Sequence, residues 1–124
     1  MTLKLLGILA VACCIFAGCR GAPITRAELV GNYIYKSEDS SSRATDHEWD
    51  HLTIQADGKY DLVQGGQTKP KTETVGTWAL VSWGGIDNGP SISLGHAGYP
   101  IQVKGGQVRL LIDEDTGIWY VKVR

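Results

Sequence analysis

Beyond position 19 this 124-residue chain has no cysteine: Cys13, Cys14 and Cys19 are all it contains. The rest of the chain therefore cannot rely on disulfides, even in an oxidising compartment, and must hold together by burying apolar surface. About a hundred residues suffice for one core and not for two domains. Twelve basic residues stand against thirteen acidic ones, and with Lys4 set aside in the N-terminal segment the balance is eleven against thirteen, or −2. That argues against nucleic acid or an anionic surface as a partner recognised by charge. Catalytic signatures are missing too: there is no Gly-x-Ser-x-Gly, no Gly-rich phosphate loop and no pair of carboxylates on a recognisable catalytic frame. The expectation is a protein that is not an enzyme and carries neither cofactor nor metal. Nor is there the run of about twenty apolar residues that spans a bilayer as a helix; the stretch from Leu5 to Gly18 falls short.

What the N terminus does contain is a basic Lys4, an apolar stretch from Leu5 to Ala17 and small residues after it, the parts of a secretory signal. Phe16-Ala17-Gly18-Cys19 resembles the lipobox of bacterial lipoproteins, with Phe16 where that family usually has Leu. Cys13, after Ala10-Val11-Ala12, is a rival site, but it would cut the apolar core to Leu5 through Ala12, near the lower limit for such a region. Ordinary signal cleavage would need a small-x-small site, which Arg20-Gly21-Ala22-Pro23 supplies poorly. The resemblance implies that Cys19 is the first mature residue and carries a diacylglycerol and a further acyl chain. At about 0.8 kcal/mol per buried methylene, two or more chains anchor stably where one does not. Arg20 stands where an Asp favours inner-membrane retention in many Gram-negative lipoproteins, so the resemblance implies the outer membrane, facing the periplasm, in such an envelope. The resulting division is a signal peptide over 1–18, a lipidated tether over 19–25 and one domain over 26–124.

Thr25-Arg26-Ala27-Glu28 fits a capping box and predicts one short helical turn, with Gly31 ending it. From Asn32 the apolar period becomes two. Tyr33 and Tyr35 lie on one face of a first strand, Ser37 to Asp46 reads as a long polar loop, and Leu52, Ile54 and Ala56 mark a second strand. Asp57-Gly58 is a hairpin signal leading into Tyr60, Leu62 and Gln64. Gly65-Gly66 reads as the start of a turn, Lys69-Pro70-Lys71 as solvated loop, and Val75 to Trp83 as a fourth strand. Ile92 with Leu94, Ile101 with Val103, Val108 with Leu110 and Ile112, and Ile118 to Val123 complete the series, separated by turns at Gly85 to Pro90, Gly95 to Pro100, Gly105-Gly106 and Asp113 to Gly117. Eight short strands predict an all-β, antiparallel up-and-down meander closing into a small barrel, which removes its exposed edges.

Leu29-Val30-Gly31-Asn32-Tyr33, then Leu52-x-Ile54-x-x-Asp57-Gly58-x-Tyr60, then Gly76-x-Trp78-x-Leu80 are together similar to the lipocalin-like domains of bacterial lipoproteins. Where that family usually shows Gly-x-Trp in its first strand, this chain has Gly31-Asn32-Tyr33. The resemblance implies a fold, and a fold does not fix function. An eight-stranded barrel is just wide enough to be filled by side chains or to hold one small molecule. With Tyr33, Tyr35, Tyr60, Trp78 and Tyr120 as inward candidates, a filled core is expected.

Asp46-His47-Glu48-Trp49-Asp50-His51 concentrates metal-ligating groups, and His47 with His51 has the spacing of zinc ligands on a helix. In an extended chain the two rings would sit about 13 Å apart, too far for one metal. Asp113-Glu114-Asp115 lacks the spacing of a calcium loop, and His96 has no nucleophile motif beside it. Three functional classes follow. The first is a membrane-tethered module that binds a protein or glycan partner through exposed aromatics such as Trp49, Trp83 or Trp119, with Tyr35 at the barrel mouth; hydrolase inhibitors are a precedent by resemblance. The second is a carrier of a small apolar ligand, which needs a cavity of at least ~300 Å³. The third is a weak hydrolase or metal-dependent enzyme.

Overall fold

The computed structural model describes residues 23–38, 44–113, 115 and 117–123. Cys13, Cys19 and the rest of the N-terminal segment through residue 22 lie outside them. Among the described residues no helix is long and apolar enough to cross a membrane.

Eight antiparallel strands form a closed barrel in sequential order: β1 (Gly31–Ser37), β2 (His51–Ile54), β3 (Lys59–Gly66), β4 (Lys69–Val81), β5 (Ser91–Leu94), β6 (Ala97–Lys104), β7 (Gln107–Asp113) and β8 (Ile118–Val123). Closure is made by β8 against β1, in register from Asn32↔Val123 to Ser37↔Ile118. Because every connection is between neighbours, the loops alternate between the two ends. One end carries the β1–β2, β3–β4, β5–β6 and β7–β8 connections; the other carries the remaining three and receives the chain from the N terminus.

The alternation read from the sequence sets the inward face. Tyr33, Leu52, Tyr60, Trp78, Ile92, Leu110 and Tyr120 are buried in one cluster, one from each strand but β6, which adds Ile101. Burying side chains of this size contributes roughly 1.5–3 kcal/mol each before the ordering cost of the chain. Gly76 makes room for this packing, since a Cβ there would lie 2.9 Å from the Tyr60 ring.

The N-terminal end is plugged by α1 (Arg26–Leu29). The capping box is present as expected: Glu28 N donates to Thr25 Oγ1 at 3.3 Å and Thr25 N donates to Glu28 Oε1 at 3.2 Å. Leu29 is fully buried, and its carbonyl accepts from the Tyr33 hydroxyl at 2.6 Å. The Arg26 guanidinium lies 4.2 Å over the Trp78 ring, whose Nε1 donates to the carbonyl of Gln55 at 2.7 Å.

Five local expectations are corrected. Lys69-Pro70-Lys71 is not loop but the start of β4, which continues, fully exposed, as a two-stranded ribbon with β3. There main-chain pairing rather than burial makes the strand, so no apolar period announces it. Gly65 and Gly66 end β3 rather than begin a turn. The fifth turn is only Gly95-His96, with β6 starting at Ala97, and the loop after β1 contains a second helical turn, α2 (Ala44–His47). Trp119, expected on the surface, is only 8 % exposed. It faces outward from β8, clustered with Leu111 and Val121, and the Arg109 guanidinium covers its ring at 4.2 Å.

Candidate functional site

The end of the barrel opposite α1 is closed by polar chemistry. Asp50, one residue ahead of β2, is buried, and its carboxylate draws together three elements. Oδ1 accepts from Gly65 N at 2.9 Å, and Oδ2 accepts from the Tyr120 hydroxyl at 3.0 Å and lies 3.1 Å from His47 Nδ1. An ionised carboxylate only accepts, so the matching imidazole tautomer carries its proton on Nδ1. Three such bonds are what a buried carboxylate needs to offset its desolvation.

Each partner is placed by its own strand. Tyr120 points inward from β8, and burial pushes its hydroxyl well above the ordinary tyrosine range, with the Asp50 charge adding to the rise. Gln64 Nε2 reaches the same hydroxyl at 3.5 Å. Gly65 lies opposite a bulge in β4: between the pairs Gln64↔Thr72 and Gly66↔Lys69 it alone faces both Lys71 and Pro70. Its φ is +141°, and a Cβ would fall 2.9 Å from Lys71 Cα, so both backbone angle and space require glycine. Gly65 turns its N–H to Asp50 and its carbonyl to the amide of Trp49, at 3.0 Å.

The α2 segment is stapled to the β3–β4 turn along its length. Thr68 donates to the Asp46 carboxylate and Gln67 N donates to Glu48 Oε1 at 2.9 Å, while within the segment Asp50 N donates to the carbonyl of His47 at 3.0 Å. The His47 ring stacks on Tyr35 with centroids 4.1 Å apart and planes 9° from parallel, and Tyr35 meets Tyr120 edge-on at 6.3 Å. Trp49, with its amide held by Gly65, is the large apolar side chain displayed here, 47 % exposed.

Of the expected contact residues, the structure joins Tyr35 and Trp49 at one end and places Trp83 at the other, in the β4–β5 connection. Tyr35 is half-buried and serves as the floor under His47 rather than as an open lining. Sequence reasoning missed Asp50, Gly65 and Tyr120 as one unit. The signal it had was a carboxylate within a His-rich stretch, but the partners are fifteen and seventy residues away.

Chemically the arrangement is a latch. His47 and His51 diverge: the first is committed to Asp50 and the second lies 3.0 Å from Asn32 Oδ1 on the outer face. Among the described residues no three His, Cys, Asp or Glu side chains are grouped to hold a metal ion. What the latch can do is hold a loop and its tryptophan in one position at the rim. Comparison with protein-family models, curated proteins and solved structures finds no match.

Proposed function

We propose that this chain is a lipid-anchored lipoprotein of the bacterial envelope, acylated on Cys19, whose barrel is a binding module for a protein or glycan partner. In a Gram-negative envelope it sits on the outer membrane and faces the periplasm; inhibition of a secreted hydrolase is one form such binding takes. The lipobox-like Phe16-Ala17-Gly18-Cys19 supports the anchor, and the freedom of the remaining chain from cysteine suits a domain built for an oxidising compartment. The observation that carries the binding reading is Trp49. A half-exposed tryptophan on a loop fixed by a buried carboxylate has its ordering cost met before any partner arrives, as interface anchors require. The bulky aromatics of the interior favour this reading over that of a carrier.

Two measurements test it. Cys19→Ser is expected to abolish acylation and release the protein from the membrane fraction; retention and processing unchanged by that substitution contradict the anchor. In crosslinked envelopes the wild-type chain is expected to recover a partner that Trp49→Ala loses by at least tenfold, the scale of an interface hot spot. Equal recovery by both refutes the role given to Trp49.

A further inference from the structure

We infer that the α1 end of the barrel seats on the bilayer surface, with Trp83 and Ile86 entering the interfacial layer. This rests on the acylation of Cys19 proposed above and adds an orientation to it. Of the five large apolar side chains exposed among the described residues, three belong to this end: Trp83 at 66 %, Ile86 at 41 % and Val103. Trp49 is at the other end, and Val75 is on the wall in β4.

The loop that carries the first two is built to hold them out. Ser91 Oγ donates to the carbonyl of Trp83 at 2.7 Å, Gly85 N donates to Gly89 O at 2.9 Å, and Gly89 N donates to Ile86 O at 2.9 Å around a single 3-10 turn, Ile86–Asn88. Asp87 and Asn88 both take left-handed backbone angles, φ 52° and 61°, which these two residue types tolerate better than most. The loop is thus internally bonded while its two apolar side chains are left to solvent. Lone exposed apolar residues are ordinary, but a preordered pair beside the point of attachment is not so readily dismissed.

The attachment point decides the occupant. Four residue steps separate Cys19 from Pro23, a reach of at most ~14 Å, and Pro23 leads directly into α1. Acyl chains on Cys19 therefore hold this end, and not the Trp49 end, against the lipid. Tryptophan is the side chain most suited to that depth, with an apolar body and a polar N–H. Charge is a minor attraction: at this end Arg26, Lys59, Lys104 and Lys122 stand against Glu28, Asp57 and Asp87, a surplus of one, with Arg20 beside the anchor. Seating is therefore expected without anionic lipid and to be strengthened only modestly by it.

The test uses the full acylated chain, reconstituted in vesicles of phosphatidylcholine with and without phosphatidylglycerol and containing brominated acyl chains, which quench tryptophan on contact. Quenching is expected in both compositions, to be largely removed by Trp83→Phe and to be unaffected by Trp49→Phe. Mass spectrometry of the same sample reports acylation separately. Acylated protein whose quenching ignores Trp83→Phe overturns the orientation and leaves the anchor standing; chain without acyl groups overturns both. Shielding of Trp83 from acrylamide that rises with protein concentration, without quenching by brominated lipid, assigns the loop to a second copy and also overturns it.

Discussion

The two ends of this barrel are closed by opposite means. At one, α1 fills the opening with Leu29 and shields Trp78 beneath Arg26, so closure comes from burial with a few hydrogen bonds to fix the angle of entry. At the other, Asp50 ties the α2 loop, the end of β3 and β8 together through directional bonds to Gly65 and Tyr120, with His47 alongside. Apolar burial is tolerant of small displacements; a buried carboxylate is not, because each lost partner leaves a desolvated group unpaired. The apolar plug suits an end that needs only to be shut, and the polar latch suits one that must present Trp49 in a fixed place.

Substitutions at the two ends should break this contrast in graded steps. Trp78→Ala removes the ring under α1 and is expected to cost about 3–5 kcal/mol in denaturant unfolding; a loss under about 1 kcal/mol would place that ring outside the core. Asp50→Ala is expected to cost about 3 kcal/mol, since it strands the Tyr120 hydroxyl and the Gly65 amide. It should also raise hydrogen exchange at Trp49 and Gly65 while leaving amides near α1 protected. Uniform loss of protection at both ends would deny the latch its local role.

Alkaline titration comes next in size. Burial raises the hydroxyls of Tyr33, at the plug, and Tyr120, in the latch, above the ordinary tyrosine range. The unfolded chain therefore loses these protons first. Their contribution is complete below about pH 10 and is lost as pH rises further toward the folded-state values, by roughly 1.4 kcal/mol per pH unit for each group. Urea midpoints across that range should flatten in Tyr33→Phe and again in Tyr120→Phe; unchanged slopes would mean that neither hydroxyl is shielded. Thr25→Ala, which opens the capping box of α1, is expected to cost about 1 kcal/mol. Trp49→Ala should change stability by no more than about 1 kcal/mol, as a half-exposed side chain outside the buried clusters, so a tenfold loss of partner capture from folded protein is a binding effect.

The barrel was legible because its strands alternate. Tyr33, Leu52 with Ile54, Tyr60, Trp78, Leu110 and Tyr120 are buried at positions that period two selects. What stayed hidden depends on pairing or on distant partners. The start of β4 is polar throughout and contains Pro70, whose missing N–H is tolerated because it sits in the β4 bulge opposite Gly65. Trp119 looked like a surface aromatic because it alternates with inward Tyr120; only the fold brings Arg109, ten residues earlier, over its ring. His47 and His51 have the spacing of a metal pair on a helix, and α2 and β2 send them to separate partners. Asp50 carried only the weak mark of a carboxylate in a His-rich stretch, since its burial requires a glycine in β3 and a tyrosine in the last strand.

A photoreactive amino acid placed first at Trp49 and then at Trp83, each in the full chain within intact envelopes, tests the division of labour most directly. Crosslinks from position 49 to a protein or glycan and from position 83 to lipid are the expected result. Lipid captured from position 49, or the same soluble partner captured from both positions, would contradict a barrel held to the membrane by one end and recognising its partner with the other.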